Sequence, residues 1–396
     1  MIESATHIAD VAQSWRLVDP DGSVLTTPEW LATDEEGRAG PRRYLVQRSG
    51  PDGRPVGALA AYRIEAGEFP TYDPVALLLS PLTEPRAADP HDVQRIRGGQ
   101  EELTREREAL YPAAACMLPG AYLPGVVGRD AAVDVLLDRF EELAREWGCR
   151  TSAVLHVPED DRRLRAALEA RGYVGASFVA QAVLPVAWSS FDDYLATLRR
   201  NRRTSIRRER RVFAESGMRV RRVSVESAGP AMAALHAAQL RRYGHDIAEE
   251  RLAALIERIR RHLAPWCTVL VAERDGELEG FVLAYEKSGE LHPKMTGFSK
   301  YAQQHFGYFN LLYYEVLEYA MARGVRSVVL GPETYEAKVA RGALLHPRTT
   351  YLRVPERFRE QVSCMTSTID RLNHQRFRQF VADQGPVRWG GEMAER

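Results

Sequence analysis

Two stretches of this chain repeat one plan, and the repetition restricts its fold more than any other feature. Residues 128–186 open on Gly128 and residues 307–355 on Gly307. Each continues with apolar positions at helical spacing: Val133, Leu136, Leu137, Phe140 and Leu143 in the first, Leu311, Leu312, Val316, Leu317 and Met321 in the second. Each helix runs out at a glycine, Gly148 or Gly324, the residue that most readily takes the left-handed backbone of a helix end. A β-rich run follows, "TSAVLHV" or "RSVVLG", then a second helix ending in Ala-Arg-Gly at 170–172 and 340–342. From Gly172 to Pro185 and from Gly342 to Pro355 the distance is 13 residues in both. Helix–strand–helix–strand order is common in α/β chains, but the shared glycines and the identical spacing mark a duplicated unit. The expected fold is α/β (α+β): two tandem lobes, residues 1–186 and 187–396, each a twisted mixed sheet flanked by helices, the second with a C-terminal helix over 356–383.

Charge narrows the function. Lys plus Arg and Asp plus Glu are 54 each in 396 residues, so the protein as a whole is no polyanion binder, and any basic role is local. The start has neither a basic nor an apolar signal region, and no apolar run approaches the roughly 20 residues of a membrane helix. Cys116, Cys149, Cys267 and Cys364 are far apart, without CxxC or HExxH, so neither a disulfide framework nor a metal site is expected. These features read as a cytoplasmic globular protein that needs no membrane and no DNA.

The second half carries the chemistry. "TVLVAERDGELEGFVLAYEKSGELHPKMTGFSKY" reads as three strands with turns at "RDG" and "KSGE". "QQHFGYFNLLYYEVLEYAMARG" then opens a long helix. Gln304, Gly307 and Phe309 stand where a Q/R-x-x-G-x-G/A loop places its key residues, with first-turn N–H groups free for an anion. This order resembles the GNAT acyltransferase fold. The doubled arrangement resembles Fem-type peptidyltransferases and related tandem GNAT acyltransferases, in which "L..L..N.R..IRRE.R" precedes the second lobe and "G....K....G" follows its fifth strand. Here those read "YLATLRRNRRTSIRRERR" and "GPETYEAKVARG". Over roughly residues 40–355 the resemblance implies acyl transfer without a permanently bound cofactor. The donor is a phosphopantetheine arm, on coenzyme A or a carrier protein, or an aminoacyl-tRNA. Coenzyme A users have Gly or Ala where this chain has Phe309, beside Tyr308. That departure points to a carrier-protein or aminoacyl-tRNA donor, and the first lobe lacks the loop pattern altogether.

The strand "ELHPKMTGFSK" puts His292, Lys294 and Thr296 on one face if alternation holds, and Pro293 requires an edge or a bulge. In GNAT enzymes the matching strand splays to hold the donor carbonyl. His292 is then a candidate general base, with Glu333 as the alternative and Tyr335 as the acid for the leaving group. Gln304, Gly307, Tyr308, Lys294, Arg203 and Arg207 are the donor-binding candidates, and Lys338 and Tyr285 the acceptor-binding ones. No covalent nucleophile is evident. In "RRNRRTSIRRERR", residues 199–211, eight of thirteen residues are arginine. On one helix with its apolar stripe at Phe191, Tyr194, Leu195, Leu198, Ile206 and Phe213, they form either a solvated face or a dock for a phosphate-bearing or acidic donor. The expected activity is an N-acyltransferase joining an acyl or aminoacyl group to a small-molecule amine, in natural-product or cell-wall assembly. The alternatives are a coenzyme A-dependent N-acetyltransferase and a non-catalytic RNA- or carrier-binding module.

Overall fold

The protein is described by a computed structural model for residues 1–83, 85 and 88–384. Its strands are β1 (Ile2–Ala5), β2 (Arg42–Ser49), β3 (Arg54–Ile64), β4 (Ala113–Leu118), β5 (Leu123–Pro124), β6 (Val126–Gly128), β7 (Thr151–Pro158), β8 (Val174–Pro185), β9 (Arg219–Val223), β10 (Cys267–Arg274), β11 (Glu277–Lys287), β12 (Glu290–Phe298), β13 (Ser327–Gly331) and β14 (Leu344–Arg353). The chain forms two compact units, one of residues 1–181 and 345–383, the other built on residues 182–344.

In the first unit the strand order is β1-β2-β3-β4-β7-β14-β8; β4 and β7 are parallel, the pairs β1-β2, β2-β3, β3-β4 and β7-β14 are antiparallel, and β6 lies on β3 and β5 on β4. The amphipathic helix Val133–Glu146 lays Leu136, Leu137, Phe140 and Leu143 on Leu45, Leu59 and Val154. It comes so close that a Cβ on Gly57 would lie 2.4 Å from that of Ala132. In the second unit the last residues of β8 pair with β13, and the order continues β13-β12-β11-β10-β9. Each unit is thus a mixed sheet with helices, and the duplicated plan is present in both. The glycines at its helix ends all have left-handed φ: 65° at Gly148, 77° at Gly172, 66° at Gly324 and 93° at Gly342.

The boundary differs from the expected one. The sequence reading placed everything after residue 186 in the second lobe. Instead, the chain returns to the first unit at Leu345 and stays there through the helix Glu356–Gln384 as far as Asp383. The reason is the helix's own apolar stripe. Phe358, Val362, Met365, Ile369 and Leu372 are buried, and Met365 packs where Gly99 has no side chain. Polar ties at the rim join Arg357 to Glu106 at 3.0 Å and Gln361 to Glu102 at 2.6 Å. Ile369→Ala and Leu372→Ala should each destabilise the first unit by about 2–5 kcal/mol. Hydrogen exchange should then rise in β4, β7 and β14, while β10 to β12 keep their protection.

Candidate functional site

The second unit's sheet opens along β12. Against β11, His292 faces Tyr285, Pro293 faces Ala284 and Met295 faces Leu283, so Lys294 is the extra residue of a β-bulge. Proline supplies no N–H for the ladder, and the slip beside it follows from that. The bulge also cancels simple alternation. His292 shares a face with Met295, while Thr296 turns to the other face, where its hydroxyl accepts from Gln239 at 2.6 Å. The expectation that His292 and Thr296 share a face is corrected accordingly. On the opposite edge β12 pairs in parallel with β13 at Glu290–Ser327 and Leu291–Val328 among the described residues. The next residues along β12, His292, Pro293 and Lys294, border the divergence.

His292 is buried, and its Nε2 lies 2.9 Å from Glu290 Oε2. A carboxylate can only accept there, so the proton sits on Nε2 and Nδ1 is the basic nitrogen. Burial depresses the imidazole's pKa, Lys294 adds to this, and Glu290 works against it. Tyr285, across the ladder, is fully enclosed, and burial holds its phenol well above the ordinary range.

β13 ends in a turn with an unusual backbone. Gly331, Glu333 and Thr334 have φ of 74°, 64° and 45°, and two of the three are not glycine. The helix Tyr335–Val339 follows and sends Lys338 back over the turn. Its ammonium donates to the carbonyls of Gly331 at 3.0 Å and Pro332 at 2.6 Å. Lys338 is 4% exposed, and burial lowers its pKa to about 7; Glu333 opposes the shift and the charge of Lys294 contributes to it. Lys294 keeps some accessible area, but its ammonium is enclosed, and burial brings it down to about 8. Lys294 is therefore felt by both His292 and Lys338. These three, with Glu333 and Tyr285, are the expected residues that the fold gathers. Tyr335 is buried at the head of the same short helix, while Glu333 is exposed.

Beneath this group lies a network that sequence reasoning missed. Arg341, taken only as part of an Ala-Arg-Gly helix end, is 2% exposed. Its guanidinium donates to Glu209 at 3.0 Å and to the Tyr314 hydroxyl at 3.2 Å, and lies 4.0 Å from the ring centre of Phe309. Tyr314 also donates to Glu209, Asn310 donates to the Glu209 carbonyl at 3.2 Å, and Tyr194 donates to the Arg341 carbonyl at 3.1 Å. Burial works against the charge on Arg341, but Tyr314 and Glu209 outweigh it and hold the group above its ordinary pKa. The bulky Phe309 is thus one wall of an arginine cage. The helix widens to π geometry over Asn310–Glu315, the turn that carries Tyr313 and Tyr314 around the guanidinium. The available signal was a lone arginine and a lone Glu209 within runs of the opposite character.

The loop before this helix also differs from expectation. Lys300–Gln304 forms a short helix of its own, and Gln304 is exposed. The left-handed residue is Phe306, with φ of 58°, rather than Gly307. Gly307 is needed for close approach instead, because a Cβ there would lie 2.8 Å from the Ala302 carbonyl. Tyr308 packs edge-on against the rings of Phe298 and Tyr313, which ties the helix start to β12. The arginine-rich segment is two helices, Phe191–Thr197 and Arg200–Glu215, broken at extended Leu198 and Arg199. Arg203 turns inward to the Leu198 carbonyl at 2.6 Å and Arg210 pairs with Glu318 at 2.8 Å, whereas Arg207 is exposed.

The class to which these features belong is that of the FemAB-like proteins. The FemAB-like family model, for peptidoglycan biosynthesis and recognition, matches residues 105–388. The chain belongs to this family. Among solved structures, FemX aligns over 91% of this chain and 100% of its own, with a TM-score of 0.56 and 12% identity. A C-terminal domain assigned to a lysylphosphatidylglycerol synthetase of Agrobacterium fabrum aligns over 91% and 97%, at 0.52 and 12%. L-PGS from Bacillus licheniformis aligns over 90% and 96%, at 0.52 and 11%. No curated protein matches the sequence. Among the described residues no cluster of His, Cys, Asp or Glu could hold a metal, and no helix is long and apolar enough to cross a membrane.

Arg341→Met strands a buried carboxylate and should cost about 3–5 kcal/mol in denaturant unfolding of the second unit. Adding Glu209→Gln should return most of that loss. A second test uses pH. The folded pKa of Lys338, about 7, lies below its ordinary 10.5, so between these values the unfolded chain holds a proton that the folded chain lacks. Stability should rise with pH through this window, by up to about 1.4 kcal/mol per pH unit, and fall as pH drops towards 7. Lys338→Met should remove this share of the slope and leave that of Lys294, whose ammonium is lowered to about 8.

Proposed function

We propose that the second unit makes an amide by passing an aminoacyl group from the 3′ end of a tRNA to an amine on a cell-wall precursor. The observation that carries this reading is the pair of enclosed lysines, 294 and 338, beside the parted strands β12 and β13. The acyl carbonyl enters the parting. The amine nitrogen attacks its carbon, and charge develops on its oxygen. Lys338 has three N–H donors, of which two are held by the turn carbonyls, so the third serves the oxyanion. Lys294 adds its positive charge. His292 Nδ1 takes the proton released by the amine. As the bond between the carbonyl carbon and the ribose oxygen breaks, Tyr335 gives a proton to that oxygen and is re-protonated from His292. Lys338, assigned above to the acceptor, thus acts on the carbonyl instead.

Support for a tRNA comes from Arg200, Arg207, Arg208 and Arg211. They are exposed on one helix and carry no ion pair among the described residues. Their guanidinium groups suit a phosphate backbone, and the resemblance to Fem-type enzymes implies the same donor. The acceptor class follows the family's link to peptidoglycan. The first unit has no donor role in this scheme, and a tRNA donor places the reaction in the cytoplasm. A carrier-protein thioester would undergo the same attack with sulfur leaving.

Aminoacyl-tRNA, carrier-protein thioester and acyl-coenzyme A should each be offered with an amine acceptor, and product mass recorded. Transfer from the tRNA is expected. Lys338→Met should lower kcat by about 10²–10³-fold with the fold intact. Arg207→Glu with Arg211→Glu should raise KM for the tRNA and leave that for the amine alone. Turnover with acyl-coenzyme A alone, or RNA binding without turnover, would reject the proposal.

A further inference from the structure

The first unit has a basic cavity that the transfer reaction does not use. Its volume is about 220 Å³. It lies where the helix Val133–Glu146 ends, β7 begins, β14 ends and the helix Glu356–Gln384 starts. Five arginines line it: 145, 150, 171, 353 and 359.

Three of these charges are already met. Arg353 pairs with Glu141 at 3.0 Å, Arg359 lies 3.6 Å from Glu356, and Arg171 is held by Asp134 and Asp138 at 2.8 Å each. Arg145 and Arg150 are exposed at the cavity and have no ion pair among the described residues, which leaves two positive charges unmatched. The two helix ends at the cavity have opposite partial charges and largely offset each other, so the arginines set its field. Gly172, with φ of 77°, makes room for this arrangement, since a Cβ there would lie 3.1 Å from the Arg359 guanidinium. The cavity is smaller than the roughly 300–1,000 Å³ of pockets that enclose a drug-sized ligand. It therefore suits one compact anionic group, with the rest of any larger ligand outside. Guanidinium forks match phosphate oxygens in pairs, and two unmatched positive charges call for a multiply charged anion.

We propose that this cavity binds a phosphate or diphosphate group, as a ligand site of the first unit separate from the acyl-transfer chemistry. Isothermal titration of the full chain at fixed ionic strength, with inorganic phosphate, pyrophosphate and a nucleoside diphosphate, tests it. Saturable binding to one site is expected for pyrophosphate. The double variant Arg145→Ser, Arg150→Ser should weaken it by about tenfold or more, because two charge-assisted contacts are lost at exposed positions. Lys338→Met should leave it unchanged, whatever that variant does to transfer. A nucleoside diphosphate that binds more tightly than pyrophosphate identifies a nucleotide-linked ligand; equal affinity identifies the free anion. The proposal fails if none of the three saturates, or if the double variant binds as the parent does. It also fails if a short RNA loses affinity in the double variant while pyrophosphate does not displace it from the parent.

Discussion

The buried contact between Arg341 and Glu209 is the constraint on which the second unit rests. Two charges taken out of water are tolerated only when each finds partners, and here the guanidinium meets a carboxylate, a phenol, a carbonyl and a ring face. The partners come from the arginine-rich helix, the π-widened helix and the short helix after β13. Fixing one point therefore fixes three elements. Because Lys338 lies on the same short helix as the carbonyl that holds Arg341, the position of the lysine follows from the cage below it.

Duplication shows how the two units parted. Arg171 and Arg341 occupy the same place in the repeated plan. The first reaches outward to Asp134 and Asp138; the second is swallowed and bound to Glu209. In the first unit, the corresponding turn ends in a cavity of arginines. In the second, it ends beside parted strands and two lysines whose charges oppose each other. One local plan has thus given an open basic surface in one setting and an enclosed group with shifted protonation in the other. What differs is burial.

The enclosed lysines connect fold to chemistry. An exposed lysine is a fixed cation at neutral pH. Desolvation brings Lys338 to about 7, where both protonation states are populated. The bulge at Lys294 and the left-handed backbone at Glu333 and Thr334 are the local irregularities that bring these groups near one another.

Much of the fold was legible in the chain. Helical periodicity, glycine at each helix end and the equal spacing to Pro185 and Pro355 marked the duplicated plan, because backbone geometry dictates those patterns locally. Pro293 marked the irregular strand, since its missing N–H is a local fact. Tertiary structure alone decided the rest. It carried β14 and the last helix into the first unit, because an apolar stripe does not name the surface that will cover it. It split the arginine helix at Leu198, turned Thr296 away from His292, and drew Arg341 and Glu209 inside. These outcomes depend on which distant residues come into contact and exclude water. That is a property of the assembled packing, which no stretch of sequence holds by itself.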